Sequence, residues 1–457
     1  MADADESPAA QFSNPLSGGK GIALAKAATL PSLDVAGYSE AEYAAAGTAR
    51  SYVAEAMPAD GSFVFTTSDA TADYRVRVVV RRPESAEKFS GTVVLEWLNV
   101  TSGADSAADY TYVANEILRS GHAWVGVSAQ FVGIEGATSA PTSAKPLKQL
   151  DPARYGDLRH PGDAFAYDIF TQVGRAFRCP QGVDPLDGLE PLRVLAMGES
   201  QSAFCLTTYV NGVQPREGVF DGFLLHSRGR AAAGLGEVAA ALSLVDALTG
   251  EPTLIRADTA APVIVVQTET DILGVIGAYP ARQNDSDRIR WWEIAGTAHA
   301  DKFQVGVAEE MFRCVAAINR GQQTYVLRAA LRSLDRWVRD GAAPPIAPRL
   351  DVADSAAGPA FVLDEVGNVL RGIRTPVVDC PVDRLTGLAP EGSPMMCMLM
   401  GATVPLDDNY VRARFNSAEE YLSQYAAATD AMIHAGFALA DDRDEILRDA
   451  SPQRLTA

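Results

Sequence analysis

The segment VLAMGESQSA, residues 194–203, decides the fold of this chain. A short apolar run leads directly into Gly198 and Ser200, and a segment with helical spacing follows. A serine on a sharp strand-to-helix turn needs small neighbours two residues before and after it, because the backbone there is tight. Gly198 and Ser202 meet that need, although Ser202 stands where glycine is more usual. The pattern predicts a nucleophilic Ser200 at the end of a strand.

Apolar runs of the same kind lie on both sides of this segment. They cover residues 92–95, 124–127, 220–225, 263–266 and 290–294. Continuous short runs are typical of strands buried on both faces of a parallel sheet. Two strands of alternating character precede them, near Phe63 and at residues 74–81, and helical spacing lies between them at residues 107–120, 163–177 and 202–211. Strands that alternate with helices predict an α/β fold, with a mostly parallel central sheet and helices on both faces.

The serine turn after the third of these parallel strands, behind two antiparallel ones, resembles the α/β-hydrolase superfamily of the serine esterase type. The resemblance covers about residues 60–302. A looser resemblance lies in the flanking segments 37–52 (GYSEAEYAAAGTARSY) and 372–382 (GIRTPVVDCPV). Those segments look like a little-characterised group of larger α/β-hydrolase-domain proteins, which indicates no substrate.

The resemblance implies a histidine on the loop after the last strand, where it takes the proton of Ser200. His299 follows residues 290–294, and the small residues around it leave room for an imidazole. His226, at the end of a strand, is the second candidate. The remaining histidines fit this role less well, and they are His122, His160 and His434.

A carboxylate is expected at the end of the strand between Ser200 and His299, where it orients the imidazole. The segment VIVVQTETDILG offers Glu269 and Asp271. The usual placement in the family favours Asp271 and leaves Glu269 as the alternative acid. Whichever does not contact the histidine is expected to hold the loop through Arg282 or a backbone amide.

The developing oxyanion is expected to meet two donors. One is the backbone N–H of Gln201, and the other is a backbone amide of Leu98 or Asn99, in the loop that follows the strand at residues 92–95. The sequence does not choose between Leu98 and Asn99. The substrate pocket is expected to include three further residues, Trp97, Glu199 and His226.

Three regions are expected along the chain. Residues 1–60 are rich in Ala, Gly, Ser and Pro and are expected to wrap the surface of a catalytic domain at residues 61–340. Insertions near residues 129–162 and 228–260 leave from the sheet edge where open α/β folds bind ligands, so they are interpreted as lids, with plain surface insertions as the alternative. Residues 341–457 are expected to pack on the core as an extension. Further helices are expected at residues 307–319, 324–340 and 418–434.

The composition excludes several functional classes. The 457 residues include 39 Lys and Arg against 58 Asp and Glu, a net charge of −19, which disfavours binding to nucleic acid or to a membrane surface. Five scattered cysteines without a CxxC pair indicate neither a disulfide scaffold nor a zinc site, and they are typical of a reducing compartment. The acidic start lacks a secretory pattern, so a cytoplasmic protein is expected.

These features predict a serine hydrolase that cleaves a small-molecule carboxylic ester through an acyl-enzyme, without cofactor or metal. The same residues suit a lactonase, thioesterase, amidase or acyltransferase, and these remain alternatives. A non-catalytic ligand-binding protein of the α/β-hydrolase fold is less favoured, because no member of the expected triad is missing. The sequence leaves open whether the chain forms a homo-oligomer.

Overall fold

The structure is a computed structural model that describes residues 6–24, 30–136, 144–306, 309–356 and 358–456. The strands are β1 (Gln11–Phe12), β2 (Tyr38–Ala56), β3 (Val64–Pro83), β4 (Thr92–Trp97), β5 (Ala123–Val127), β6 (Gln181–Gly182), β7 (Arg193–Glu199), β8 (Gly222–His226), β9 (Val263–Thr268), β10 (Ile289–Ile294), β11 (Val352–Ser355), β12 (Gly358–Phe361), β13 (Asp383–Thr386) and β14 (Ala402–Pro405).

The α-helices are α1 (Leu33–Ala36), α2 (Ala108–Arg119), α3 (Phe131–Glu135), α4 (Leu147–Leu150), α5 (Pro152–Tyr155), α6 (Ala166–Arg178), α7 (Gln201–Thr208), α8 (Gln214–Glu217), α9 (Val245–Thr249), α10 (Glu269–Leu273), α11 (Lys302–Val305), α12 (Glu309–Phe312), α13 (Gln323–Asp340), α14 (Pro376–Asp379), α15 (Asp408–Phe415), α16 (Ala418–His434) and α17 (Arg443–Arg448). Shorter 3₁₀ turns cover Ala86–Lys88, Asp163–Phe165, Tyr279–Ala281, Met395–Leu399, Ala440–Asp442 and Pro452–Leu455, and a π turn covers Tyr209–Val213.

Ten strands of the described chain form one sheet in the order β10-β9-β8-β7-β4-β5-β3-β2-β1-β6. The six strands from β10 to β5 are parallel, and β3, β2 and β1 continue the sheet antiparallel. Every residue of β4, β5, β8, β9 and β10 is buried, which explains why apolar residues dominate their sequences. The predicted α/β fold with a mostly parallel sheet is confirmed.

The N-terminal part of the sheet differs from the expectation. Residues 38–56 were expected to wrap the surface, but Tyr38–Ala56 forms β2, which pairs antiparallel with the 20-residue strand β3. The sequence of β2 is rich in Ala, Ser and Glu, which are not typical strand residues. Pairing with β3, whose Val76, Val78 and Val80 are buried, outweighs that weak local preference.

The two insertions contact each other. The amide of Asp163 donates to the carbonyl oxygen of Ala240 at 2.9 Å, and the amide of Ala239 donates to the carbonyl oxygen of Pro161 at 2.8 Å. The Asp163 carboxylate also accepts the amide of Leu242 at 2.7 Å. These contacts hold residues 161–163 against residues 239–242, so the two insertions form one packed layer.

Residues beyond 340 pack on the same hydrophobic core as the sheet. Tyr425 and Ile446 are fully buried in that core, and the backbone of Ile373 pairs with Ile294 at the end of β10. Two small antiparallel pairs, β11 with β12 and β13 with β14, lie in this part of the chain. The C-terminal residues therefore contribute to the neighbourhood of the carboxyl ends of the parallel strands.

The helix expected at residues 307–319 is wrong for most of its length. Residues 307 and 308 lie outside the described residues, and only α12, Glu309–Phe312, is helical in the remainder. Arg313 follows with φ 51°, a left-handed backbone angle that ends a right-handed helix. The segment continues as an irregular chain to Asn319.

A disulfide joins Cys314 to Cys397, with a Cα–Cα distance of 5.6 Å. The scattered spacing of the cysteines favoured a reducing compartment. The structure corrects that interpretation, because two cysteines 83 residues apart in the sequence form a disulfide. Disulfides persist mainly in oxidising compartments, so the cysteines do not support a cytoplasmic location. Within the described ranges, no helix is both long and apolar enough to cross a membrane.

Candidate active site

Ser200 lies on the turn between β7 and α7, with φ 59° and ψ −122°. A positive φ is costly for a residue with a side chain, and such strain is concentrated at functional sites. Gly198 must lack a side chain here, because a Cβ atom would lie 2.9 Å from the Cβ of Ser202. The amide of Ser200 donates to the carbonyl oxygen of His226 at 2.9 Å, which fixes the turn against β8.

His299 contacts both the serine and a carboxylate. Its Nδ1–H donates to Asp271 Oδ1 at 2.7 Å, and the Ser200 hydroxyl lies 2.9 Å from its Nε2. Burial works to lower the pKa of His299, but the charge and hydrogen bond of Asp271 outweigh it and raise the pKa above its ordinary value. With Nδ1 holding its proton against the carboxylate, Nε2 is free to accept the serine proton.

Asp271 is held by several donors besides His299. Its Oδ2 accepts the Ser227 hydroxyl at 2.7 Å, the Thr268 amide at 2.7 Å and the Thr268 hydroxyl at 2.8 Å. Thr268 also caps the N-terminus of α10, so a local helix cap positions this carboxylate. Burial works to raise the pKa of Asp271, yet His299 and these hydrogen bonds lower it, which keeps the group ionised.

Glu269, the alternative acid, points elsewhere. Its two oxygens accept the amide of Gly296 at 2.6 Å and the amide of Gly387 at 2.7 Å. Burial raises the pKa of Glu269 to about 7. The structure therefore places Asp271 against His299, and Glu269 ties the histidine loop to the C-terminal part of the chain. Arg282 instead pairs with Glu293 at 2.6 Å.

Of the three backbone amides expected to bind the oxyanion, one has no hydrogen-bond acceptor among the described residues and two already donate to carbonyl oxygens. The Gln201 amide, the first of α7, has no acceptor in the part of the chain that the structure describes. The amide of Leu98 donates to Val127 O at 3.2 Å, and the amide of Asn99 donates to Ser106 O at 3.0 Å. The loop after β4 is therefore paired with itself and with β5, and the two backbone amides expected as the second donor already have acceptors.

The side chain of Asn99 takes a position that the sequence did not predict. Its Nδ2 donates to the carbonyl oxygen of Glu199 at 3.1 Å, directly before Ser200. Its Oδ1 accepts the amide of Thr101 at 2.8 Å. One N–H of the Asn99 amide group has no acceptor among the described residues, and Asn99 lines the cavity over Ser200. A side-chain donor therefore lies beside Ser200.

A cavity of about 260 Å³ opens over Ser200 and His299. The polar residues that line it are Asn99, Thr101, Ser102, Ser106, Glu199 and Gln304. The larger apolar side chains that line it, here called the apolar wall, are Val305, Phe312, Met396, Leu399 and Met400. None of the described residues of the insertions lines this cavity, so the lid interpretation is not supported for them. The apolar wall comes instead from the two segments that the Cys314–Cys397 disulfide joins.

Two expected pocket residues are buried away from the cavity. Trp97 is fully buried, packs on Phe170 at 4.8 Å between ring centroids, and donates from Nε1 to Gln130 at 3.2 Å. His226 is also fully buried, and its Nδ1 lies 2.9 Å from Asp109 Oδ1. Both side chains belong to the packing beneath the site, and only Glu199 of the three expected pocket residues lines the cavity.

The other histidines lie apart from Ser200. His122 contacts the Ser90 hydroxyl at 2.8 Å, His160 contacts the carbonyl oxygen of Ala129 at 2.9 Å, and His434 is exposed at the end of α16. The sequence did not predict Ser227, Gln304 or the apolar wall, because no local pattern marks residues that reach the site from distant segments. No group of three or more His, Cys, Asp or Glu residues suited to a metal ion occurs in the described ranges.

Comparison with known proteins gives a family match over most of the chain and more distant solved structures. The family described as "Alpha/beta hydrolase domain" matches residues 12–448. No curated protein matches the chain. Among solved structures, an alpha-beta serine hydrolase homologue from Coxiella burnetii is 13% identical, covering 50% of this chain and 84% of that one, with a TM-score of 0.30. An esterase structure from Rhizomucor miehei is 10% identical, covering 65% and 85%, with a TM-score of 0.31.

The solved structures are too distant to inform the substrate of this chain. The family match is different in kind, because it spans nearly the whole sequence and includes β4 to β10 with the loops that carry Ser200, Asp271 and His299. On that match the chain belongs to the alpha/beta hydrolase domain family.

Proposed function

We propose that this protein is a serine hydrolase that cleaves carboxylic esters through an acyl-enzyme. The observation that carries the proposal is the chain of contacts from Ser200 Oγ to His299 Nε2 at 2.9 Å and from His299 Nδ1 to Asp271 Oδ1 at 2.7 Å. Hydrolase activity of this general kind is what the family performs. The ester substrate and the roles of the three residues are the proposed part.

In the first half of the reaction, Ser200 Oγ attacks the acyl carbon while His299 Nε2 takes the hydroxyl proton. The tetrahedral intermediate collapses when the bond to the leaving oxygen breaks, and His299 gives its proton to that oxygen. An alcohol leaves and the acyl group stays on Ser200. Asp271, held by Thr268 and Ser227, keeps the imidazole in the tautomer that accepts at Nε2 and stabilises its charged form.

In the second half, water attacks the acyl carbon and gives a proton to His299 Nε2. The bond between the acyl carbon and Ser200 Oγ then breaks, and the proton passes to Oγ. The carboxylic acid leaves and the free serine is restored. The overall reaction therefore converts one ester and one water into one alcohol and one carboxylic acid.

The negative charge of the tetrahedral oxygen needs donors that already point at it. The Gln201 amide supports this role, because it is the first N–H of α7 and has no acceptor in the described chain. We assign the second donor to Asn99 Nδ2, whose other N–H is held by the carbonyl oxygen of Glu199 at 3.1 Å. This assignment replaces the backbone amides of Leu98 and Asn99.

The cavity supports a small substrate with an apolar group. A volume of about 260 Å³ lies just below the range of pockets that take drug-sized ligands. The wall of Phe312, Met396, Leu399 and Met400 suits an apolar acyl or alcohol group of adaptable shape, because methionine side chains are flexible.

The test combines a serine-directed probe with an ester series. Wild-type protein should react with a fluorophosphonate at Ser200 and hydrolyse p-nitrophenyl esters from acetate to decanoate, and Ser200→Ala should do neither. Ser202→Ala is the matched control, because its hydroxyl lies two residues away and has no partner in the described chain. Equal rates for wild type and Ser200→Ala would refute the assignment of the nucleophile.

A further inference from the structure

Five residues next to Ser200 contact one another in a chain, here called the polar ring: Glu199, Gln304, Asp301, Tyr112 and His226. Gln304 is half-buried and the other four are buried. Gln304 donates from Nε2 to Glu199 Oε2 at 3.0 Å and from its amide to Asp301 Oδ1 at 3.0 Å. The Tyr112 hydroxyl donates to the same Asp301 oxygen at 3.1 Å. The Tyr112 ring packs edge-on against His226 at 5.5 Å, and His226 pairs in register with Glu199 on the neighbouring strand.

Several atoms at the polar ring lack partners. His226 Nε2 and Asp301 Oδ2 are buried and have none among the described groups, and the same holds for Asp109 Oδ2 and Gln323 Oε1 beside them. Asp109 contacts His226 Nδ1 at 2.9 Å, and Gln323 donates to the Tyr112 hydroxyl at 2.9 Å. Buried polar groups are costly unless they bind a protein group or an ordered water. The residues beside Glu199 are therefore polar, whereas Met396 and Met400 line the same cavity with apolar side chains.

Glu199 connects the polar ring to the reaction. It is the only carboxylate among the described residues that line the cavity with Ser200 and His299. Gln304 occupies its Oε2, whereas its Oε1 has no hydrogen-bond partner in the described chain. A carboxylate oxygen without a partner, beside the nucleophile, accepts a hydrogen bond from whatever hydroxyl occupies the cavity.

The second half-reaction has a requirement that Glu199 meets. An attacking water has two O–H groups, and only one of them can point at His299 Nε2. The other must be held by an acceptor if the oxygen lone pair is to face the acyl carbon, because a misplaced nucleophile reacts far more slowly. We propose that Glu199 Oε1 accepts this second O–H and so positions the water that hydrolyses the acyl-enzyme.

This inference rests on the proposed acyl-enzyme function. In the step, the water oxygen bonds to the acyl carbon and one water proton goes to His299 Nε2, which passes it to Ser200 Oγ when the bond between the acyl carbon and Oγ breaks. The other water proton stays on the product acid while it donates to Glu199. Glu199 neither gains nor loses a proton, so it is a positioning residue.

The groups around Glu199 set its charge. Burial raises its pKa to about 7, and the imidazoles of His226 and His299 oppose that rise, while Asp109 adds to it and the Gln304 amide group lowers it. The pKa of His226 is lowered, chiefly by burial. Glu199 is therefore a stronger acceptor as the pH rises above 7.

Methanol provides a sharp test, because it has only one O–H. That group donates to His299 Nε2, and methanol has no second proton for Glu199 to hold. Both nucleophiles attack the same acyl-enzyme, so the ratio of methyl ester to free acid reports only on their relative attack. A general disturbance of the site slows both alike and leaves the ratio unchanged.

The experiment measures this product ratio with p-nitrophenyl acetate and a fixed methanol concentration, together with the pre-steady-state burst. For Glu199→Gln, whose side chain has nearly the same shape, we expect the ratio to rise by about tenfold or more, because a misplaced water attacks far more slowly. The burst rate, which reports acylation, should stay within about threefold of wild type, because acylation uses no water. Glu199→Asp keeps the carboxylate but shortens the side chain by one CH₂ group, so we expect a product ratio between those of wild type and Glu199→Gln.

Glu87→Gln is the matched control, because it makes the same chemical change at an exposed position and should leave the ratio unchanged. An unchanged ratio in Glu199→Gln and Glu199→Asp, with a normal wild-type burst, would overturn the role of Glu199 and leave the acyl-enzyme intact. Hydrolysis by Ser200→Ala at the wild-type rate would instead overturn the proposed function itself. If Glu199→Gln does not fold, Glu199→Asp alone decides, since no change in its ratio refutes the proposal.

Discussion

The replacement Asp271→Asn has an outcome that follows from the hydrogen bonds of this carboxylate. The Thr268 amide donates to Oδ2 at 2.7 Å and cannot turn, whereas the hydroxyls of Ser227 and Thr268 can rotate. Turning the new NH₂ group toward that amide leaves a buried donor unpaired, at a cost of about 1–3 kcal/mol. The asparagine oxygen therefore stays with Thr268, and its NH₂ group faces His299 Nδ1.

In this arrangement Nδ1 must accept, so the imidazole proton moves to Nε2 and points at Ser200. The histidine then cannot take the serine proton. Loss of the correct tautomer lowers kcat/KM by about 10³–10⁴-fold in a triad of this kind, or roughly 4–5.5 kcal/mol. The folded structure should change little, because the volume is the same and the Oδ2 contacts remain.

The assay compares kcat/KM on the best p-nitrophenyl ester with the thermal midpoint of each variant. Glu269→Gln is the matched partner, since one of its oxygens becomes a donor facing the amide of Gly296 or Gly387. We expect that variant to lose about 1–3 kcal/mol of unfolding free energy while kcat/KM falls less than about tenfold. The reasoning is refuted if Asp271→Asn keeps kcat/KM within about tenfold of wild type, or if Glu269→Gln shows the larger catalytic loss.

Three further predictions concern pH, the cavity wall and the oxyanion. Asp271 raises the pKa of His299 above its ordinary 6.5, and only a neutral imidazole accepts a proton. We therefore expect kcat/KM to fall as the pH drops through a value above 6.5. A fall of kcat/KM that begins only below pH 6.5 would contradict this prediction. Reduction of the Cys314–Cys397 disulfide, which spans 83 residues, should lower the unfolding free energy by up to about 4.5 kcal/mol, as measured by denaturation with and without reductant. It should also raise KM for long acyl esters more than KM for acetate. An equal KM in the oxidised and reduced protein would show that the disulfide does not position the apolar wall. Asn99→Ala should lower kcat by about 100-fold with little change in KM, because the lost hydrogen bond is made to the transition state. An unchanged kcat would mean that the second oxyanion donor is another group.

The strands and the serine turn were accessible from the sequence, because each depends on a few neighbouring residues. Short runs made mostly of apolar residues mark β4, β5, β8, β9 and β10, which are buried along their whole length. Gly198 and Ser202 flank Ser200 as the tight turn demands, and the positive φ of Ser200 is the backbone angle such a turn requires. The Ala-rich strand β2 was not accessible, since its pairing with β3 overrides its weak local preference.

The choice between Asp271 and Glu269 was beyond the sequence for a physical reason. Both follow β9 within three residues, and both carry the same chemical group. The Thr268 cap turns one toward His299, while the amides of Gly296 and Gly387 hold the other. The backbone amides of Leu98 and Asn99 likewise donate to carbonyl oxygens in β5 and at Ser106, and the local sequence does not reveal these partners.

The sequence by itself determined the parallel sheet, the position of Ser200 at its carboxyl edge, and the short set of residues from which a triad can be drawn. Only the tertiary structure decided which acid contacts His299, which donors near Ser200 are open, and that Cys314 and Cys397 join the segments of the apolar wall. The physical reason is the range of the forces involved. Strands and tight turns follow from residues a few positions apart, whereas an active site is made of hydrogen bonds and contacts between segments that are distant in the chain.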